Sequence, residues 1–170
     1  MGSLATLGQL KRNNGKSVEA YILKTQGCVL SGVDVIADLP NFRIDSTCAI
    51  ASRSFMSDVL FAFEKSCIED DIEFYSLVSR MYKKLIRCAF ETEMKRIGRV
   101  TSNLWTAYAV TRDVPALRKF VERVWVCRHH RIDRHYMSNI LEDACELLPS
   151  LIAREWGSEL LVKKESAWVS

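Results

Sequence analysis

The chain has 170 residues, of which 48% are hydrophobic and 26% are charged, and this balance excludes long disordered, fibrous and low-complexity structures. No apolar run approaches the roughly 20 residues that a membrane-spanning helix needs, so we expect no membrane partner. The seven glycines and three prolines are too few for a loop-rich β-protein. The composition therefore predicts an all-α protein.

The N-terminal half of the chain contains segments in which apolar residues recur every three or four positions. The clearest segment begins at Asp70 or Asp71, whose carboxylate is a favoured N-cap, and ends at Gly98, a favoured residue after a helix. Asp45 and Ser46 begin the long segment before it. We expect these helices over residues 4–10, 17–27, 31–40, 45–65 and 71–97.

The C-terminal half continues the helical pattern between recognisable start and stop residues. A Thr-Ser pair at 101–102 is expected to cap a helix, and Pro115 marks the next start because proline fits a first helical turn. Asp133 begins a helix that we expect to end before Pro149, with a last helix opening at Ser150. With about eight or nine helices in all, we divide the chain at Gly98 into two small helical subdomains, 1–98 and 99–170.

Basic residues are concentrated in the middle of the chain, where the segment from Arg80 to Arg134 holds 14 basic and five acidic residues. On the helix that begins at Asp70, one side is apolar, and the adjoining side carries four cations with almost no carboxylates between them. Such a face indicates an anionic partner. The alternative, a set of ordinary solvated helix faces, stays open.

The candidate RNA-binding residues are lysines and arginines of this segment, whose role would be to neutralise phosphates. They are Arg80, Lys83, Lys84, Arg87, Lys95, Arg96, Arg99, Arg118, Lys119, Arg123, Arg128, Arg131 and Arg134.

The string from Cys127 to His135 holds all three histidines of the chain and allows several interpretations. We expect no metal site, because Cys127, His130 and His135 lack a fourth ligand and the neighbouring arginines would repel a cation. A nucleophilic Cys–His pair would need an orienting group that the sequence does not indicate. An exposed connection between helices and a phosphate-contacting loop both remain open.

Other signs of catalysis are missing from the sequence, so we expect neither an enzyme nor a cofactor. Trp105 and Trp125 lie in apolar helices and are expected in the core. The six cysteines form no CxxC pair, lie mostly in apolar runs and follow no signal peptide. We therefore expect them to be reduced thiols of a cytosolic protein.

Basic helices with few aromatic residues on their charged face suit the backbone of a nucleic-acid duplex. Proteins read double-stranded RNA mainly through its phosphates, 2′-hydroxyls and shape, and no helix-turn-helix pattern indicates sequence-specific DNA binding. The sequence thus predicts sequence-independent binding of double-stranded RNA. The alternative is a helical interaction module, such as a viral or bacterial effector that grips a host protein and does not bind nucleic acid.

The chain resembles the RNA-silencing suppressors of closteroviruses in its size, its helical pattern and two stretches, 41–48 and 127–136. These read Asn-Phe-Arg-Ile-Asp-Ser-Thr-Cys and Cys-Arg-His-His-Arg-Ile-Asp-Arg-His-Tyr. The resemblance implies a non-enzymatic plant-virus protein that sequesters small RNA duplexes, the guides of silencing, in the host cell cytoplasm. It also implies a homo-oligomeric ring, which we expect to be octameric, with a basic inner face.

Overall fold

The computed structural model describes residues 23–24, 32, 34, 36–39, 44–66 and 70–157 of the chain. All regular structure in these ranges is helical, which confirms the all-α class. The helix predicted over 4–10 lies outside the described residues, as does most of the helix predicted over 17–27. The helix predicted over 31–40 is wrong: its described residues, 32, 34 and 36–39, form turns, in which the Asp34 carboxylate accepts from the N–H groups of Ile36 and Ala37. After a 3₁₀ turn over Ser46–Cys48, the described helices are α1 (Ile50–Arg53), α2 (Phe55–Ser66), α3 (Asp71–Glu91), α4 (Met94–Ile97), α5 (Leu104–Arg112), α6 (Pro115–Val126) and α7 (Arg134–Trp156).

The boundary between compact units lies after Cys48, which differs from the expected division at Gly98. The chain separates into Met1–Cys48 and Ala49–Ser170. Within the second unit, α3 packs against α1 and α2 and also against α5, α6 and α7, which follow Gly98 in the sequence. Its large apolar side chains are almost fully buried, and Phe74, Met81 and Leu85 expose 1% or less. α3 is therefore the central helix of this unit.

The predicted helix over 45–65 is interrupted twice, at Ala49 and at Ser54. The backbone N–H groups of Ala51 and Ser52 donate to the carboxylate of Glu91, at 2.9 and 2.8 Å. In a continuous helix they would donate to carbonyls one turn earlier. A buried side chain of α3 thus replaces local hydrogen bonds, and one predicted helix becomes a 3₁₀ turn and two α-helices.

The predicted helix over 71–97 also divides, because α3 ends at Glu91 and α4 begins at Met94. The indole N–H of Trp156 donates to the carbonyl of Glu91, and Lys95 N–H donates to the carboxylate of Glu155. These contacts occupy the two groups that would otherwise bond to each other in a continuous helix. Gly98 then ends α4 in the left-handed conformation, with φ of 70°, as predicted.

Two of the predicted helix starts are confirmed. Asp70 accepts hydrogen bonds from the N–H groups of Ile72 and Glu73, and Pro115 occupies the first turn of α6. The predicted Thr-Ser cap at 101–102 is wrong, because Asn103 caps α5 by accepting from the N–H of Thr106.

The last described helix begins as predicted, with Asp133 accepting from the N–H of Tyr136 at 2.7 Å. It does not end before Pro149 but continues to Trp156. Proline inside a helix costs about 3 kcal/mol, yet Leu148, Ile152 and Trp156 are buried on both sides of it. Packing of this apolar side outweighs the local penalty, so α7 is one helix where the sequence predicts two.

Candidate nucleic-acid interface

One side of α3 is open to solvent along most of the helix, and we call it the α3 stripe. Its exposed members recur at intervals of three and four residues, as helix geometry requires. They are Ile72, Ser76, Ser79, Arg80, Lys83 and Arg87.

The three cations of the α3 stripe have no carboxylate partner among the described residues. The guanidinium of Arg80 lies 5.1 Å from the centre of the Phe61 ring, and Lys83 Nζ lies 5.8 Å from that of Tyr82. Arg87 is exposed on the same side, one turn further along. Their positive charges are therefore directed to solvent, and none of the three forms an ion pair within the described residues.

Lys84, which the sequence places with this group, has a different role. Its Nζ lies 2.9 Å from the carboxylate of Asp58, and it also donates to the Ser54 hydroxyl. The side chain is only 18% exposed. Lys84 therefore ties α3 to the start of α2 and is removed from the candidate contacts.

The loop between α6 and α7 brings further cations to the edge of the α3 stripe. Arg128 and Arg131 are exposed, as are His129 and His130. Arg131 Nε donates to the hydroxyl of Tyr75 at 2.5 Å, and its guanidinium lies 4.7 Å from the centre of that ring. Tyr75 is one helical turn from Ser79 of the α3 stripe, so Arg131 adjoins the stripe near its N-terminal half.

Several other predicted contacts are engaged within the protein. Arg134 pairs with Asp71 at 3.1 Å, beside the ring of Phe74. Arg123 pairs with Asp143. Arg118 Nε donates to the carbonyl of Arg112 at the end of α5, whereas Lys119 is exposed without a partner among the described residues.

The two cations of α4 lie at a junction with the end of α7 and are engaged within the protein. Lys95 Nζ donates to the carbonyl of Glu155 and lies 4.5 Å from the Trp156 ring. Arg96 pairs at 2.6 Å with Glu93, a carboxylate that is only 6% exposed. Arg99, two residues beyond the end of α4, is exposed and unpaired in the described part of the chain. Lys95 thus links α4 to the end of α7, and Arg96 pairs locally with Glu93.

The α3 stripe borders a shallow groove of about 420 Å³ between α2 and α3. Phe61 and Ile72 line it together with Arg80, and these two apolar residues are 41% and 82% exposed. Glu73 also lines the groove, which therefore combines apolar side chains with one cation and one carboxylate.

The tryptophans differ from one another. Trp125 is buried as predicted, but the prediction for Trp105 is wrong, because that side chain is 57% exposed. The buried residues of α5 are Ala107, Tyr108 and Thr111, which places Trp105 at the edge of the apolar side. The helical spacing of these residues is the signal that could have identified it.

No group of three or more potential metal ligands occurs among the described residues. Within the string that holds the three histidines, Cys127 is buried and His130 is exposed. Burial raises the pKa of the Cys127 thiol to about 11, and it is protonated at neutral pH. Cys48, Cys88 and Cys145 are also free thiols.

Comparison with known proteins adds no relative: no family model, curated protein or solved structure matches the chain. Among the described helices, none combines the length and apolar character required to cross a bilayer. The interpretation of the α3 stripe therefore rests on its own geometry and charge.

Proposed function

We propose that this protein binds short double-stranded RNA without reading its sequence, through the α3 stripe and the loop between α6 and α7. The observation that carries the proposal is the row of Arg80, Lys83 and Arg87, exposed on one helix side without carboxylate partners in the described residues and adjoined by Arg131. The physical role of these cations is to replace the counterions that surround the phosphates.

The geometry of the stripe suits a duplex backbone. Arg80 and Arg87 are seven residues apart, which corresponds to roughly 10 Å along the helix axis. Such a row of long, flexible cations can follow successive phosphates, and contacts to phosphate carry no base identity. Because the deep major groove of A-form RNA excludes side chains, a protein that binds it through a helix side reads mainly shape and charge.

Sequestration follows from binding of this kind. A small RNA duplex whose phosphates are covered is withheld from the silencing machinery of a host, so the protein would act as a viral suppressor of RNA silencing in the host cell cytoplasm. The resemblance to the closterovirus suppressors supports this role. No catalytic step is required, because the effect depends on affinity and protein concentration alone.

A homo-oligomeric ring of octameric size belongs to the same proposal, again supported by the resemblance. Multi-angle light scattering at micromolar concentration should then give a mass well above that of a dimer of the 19.4 kDa chain. A monomer mass under these conditions would contradict both the ring and the resemblance.

The binding itself is tested by gel shift with two RNA duplexes of unrelated sequence, at several salt concentrations. We expect equal affinities for the two sequences and a steep, linear fall of the logarithm of affinity with the logarithm of salt concentration. A single-stranded RNA of equal length should bind more weakly. Binding confined to one sequence, or insensitive to salt, would overturn the proposal.

A second candidate is a helical interaction module, favoured by the groove between α2 and α3. Its exposed Phe61 and Ile72 could accept the apolar side of a partner helix. If this is the function, the chain does not bind RNA. The Phe61→Ala variant then fails to bind the partner protein that the original chain binds. The two functions are therefore separated by the same gel shift.

A further inference from the structure

We infer that Trp105 is a stacking site for an unpaired nucleobase, with the phosphate of the same nucleotide held by Arg128. This site is separate from the α3 stripe, which contacts phosphates only, and it deepens the proposed function on which it rests. It would give the protein affinity for an unpaired nucleotide at the end of a duplex.

The first observation is that Trp105 is both exposed and held in place. Its indole is 57% exposed, although it belongs to a cluster of three aromatic rings. The centre of its ring lies 5.7 Å from those of Tyr108 and Trp125. Those two rings stack on each other at 4.3 Å with an angle of 12° and are 8% and 9% exposed. A rigid, buried pair thus supports one side of an indole whose remaining surface faces solvent.

The second observation is that an arginine lies beside each of the two buried rings of this cluster. The guanidinium of Arg128 lies 5.0 Å from the centre of the Trp125 ring, and the His129 ring lies 6.3 Å from it. Arg112 lies 5.8 Å from the Tyr108 ring. Neither arginine has a carboxylate partner among the described residues. An exposed ring in a cluster whose two buried rings each lie beside an arginine fits a ligand that joins a flat aromatic group to an anion, as a nucleotide does.

The third observation concerns which nucleotides can reach the ring. Bases inside a duplex are stacked on both faces, so only an unpaired or terminal base can lie against an indole. Arg128 and Arg131 belong to one loop, and Arg131 contacts Tyr75 beside the α3 stripe. The same loop therefore contributes to the phosphate surface and to the surroundings of Trp105.

The test is a fluorescence titration with a short single-stranded oligoribonucleotide and with an abasic strand of equal length and charge. We expect Trp105→Ala to weaken binding of the base-containing strand about tenfold, and Trp105→Phe to retain part of the affinity. The abasic strand should bind the unchanged protein as weakly as the base-containing strand binds Trp105→Ala. Leu60→Ala on α2 is the matched control, because it also removes a large apolar side chain, 38% exposed and outside the α3 stripe, and it should leave the affinity unchanged.

Duplex binding separates this inference from the proposed function. Gel shifts should show that Trp105→Ala weakens a duplex with single-stranded overhangs more than a blunt duplex of the same paired length. If Trp105→Ala matches the unchanged protein on every RNA while duplexes still bind, the stacking site is wrong and the proposed function stands. If no duplex binds but the oligonucleotide effect persists, the proposed function fails instead. If Trp105→Ala changes only the mass measured by light scattering, the indole of Trp105 lies in the contact between copies of the chain, and the inference is overturned.

Discussion

The α3 stripe and the junction at the end of the same helix are both rich in basic residues. The two regions differ in whether these cations face solvent or are bonded within the protein. In the stripe, Arg80, Lys83 and Arg87 face solvent without carboxylate partners in the described residues. At the junction, Lys95 Nζ donates to the backbone carbonyl of Glu155, and Arg96 pairs with the carboxylate of Glu93. The density of basic residues in a sequence therefore does not measure the charge of a surface. The acceptor groups that the fold places beside each cation decide it.

The largest expected effect comes from removing the cations of the stripe. The double variant Lys83→Ala and Arg87→Ala should lower the affinity for every RNA duplex roughly 30-fold at 0.15 M salt and reduce the salt slope by about two. The reason is that two fewer counterions are released on binding. Gel shifts at several salt concentrations measure both quantities, and circular dichroism should show an unchanged helix content, because both side chains are exposed.

The matched control removes two cations from the junction instead. Lys95→Ala with Arg96→Ala changes the net charge by the same amount, but these side chains are already engaged with Glu155 and Glu93. We expect its affinity to stay within about threefold of the original while its unfolding free energy falls by about 1 kcal/mol. Equal losses of affinity in the two double variants would mean that only net charge matters, and the distinction between the regions would be wrong.

The second prediction concerns the buried carboxylate that ends α3. Glu91 accepts hydrogen bonds from the N–H groups of Ala51 and Ser52 and from the Ser52 hydroxyl. Glu91→Gln places an amide NH₂ where an acceptor is needed, so one buried N–H loses its partner. We expect a loss of about 1.5 kcal/mol in unfolding free energy, measured by urea denaturation. RNA affinity measured on the folded variant should be unchanged.

These two regions also show what could be predicted from the sequence. The starts of α3, α6 and α7 depend on local signals, the caps Asp70 and Asp133 and the first-turn Pro115, and all three were predictable. The breaks at Ala49 and after Glu91 were not. They depend on hydrogen bonds between residues 40 and 65 positions apart, from Ala51 to Glu91 and from Trp156 to Glu91.

The same distinction applies to the candidate site. The exposed side of α3 follows from helical spacing, so Arg80, Lys83 and Arg87 could be chosen from the sequence. Spacing does not identify ion pairs across the fold, such as Lys84 with Asp58 or Arg134 with Asp71. The partner of Arg134 is 63 positions away. Only the packing of the helices shows which cations remain available to a ligand.

The third prediction is a pH dependence that belongs to the junction and not to the stripe. Burial raises the pKa of Glu91 above its ordinary value of 4.5, against the opposing effect of the hydrogen bonds from Ala51 and Ser52. The folded chain therefore holds this proton more tightly than the unfolded chain. The stabilisation is complete below the ordinary pKa and declines as pH rises from there through the raised value.

Glutamine does not titrate, so the Glu91→Gln variant is the reference for this effect. The unfolding free energy of the original chain, minus that of the variant, should fall as pH rises through this window and level off above it. The slope cannot exceed about 1.4 kcal/mol for each pH unit. A difference that grows with pH would show that the carboxylate is stabilised by its surroundings, contrary to the direction of the pKa shift.

The smallest effect is expected for the labelling rates of the thiols. These rates show whether the basic surface lowers the pKa of buried groups. Cys127 begins the basic loop between α6 and α7, yet burial raises its pKa to about 11, and Arg123 lowers it by less. Burial also raises the pKa of Cys88, well above its ordinary value, and raises that of the partly exposed Cys145.

Because thiolates are the reactive species, iodoacetamide at pH 8 should label Cys145 first, then Cys127, and Cys88 only after unfolding. Peptide mass spectrometry resolves the three sites, and a thiol titration of the denatured, unreduced chain should find all six cysteines free. Fast labelling of Cys127 in the folded chain would mean that the cations of this loop lower the pKa of its thiol. The electrostatic effect of the basic surface would then extend to a buried group.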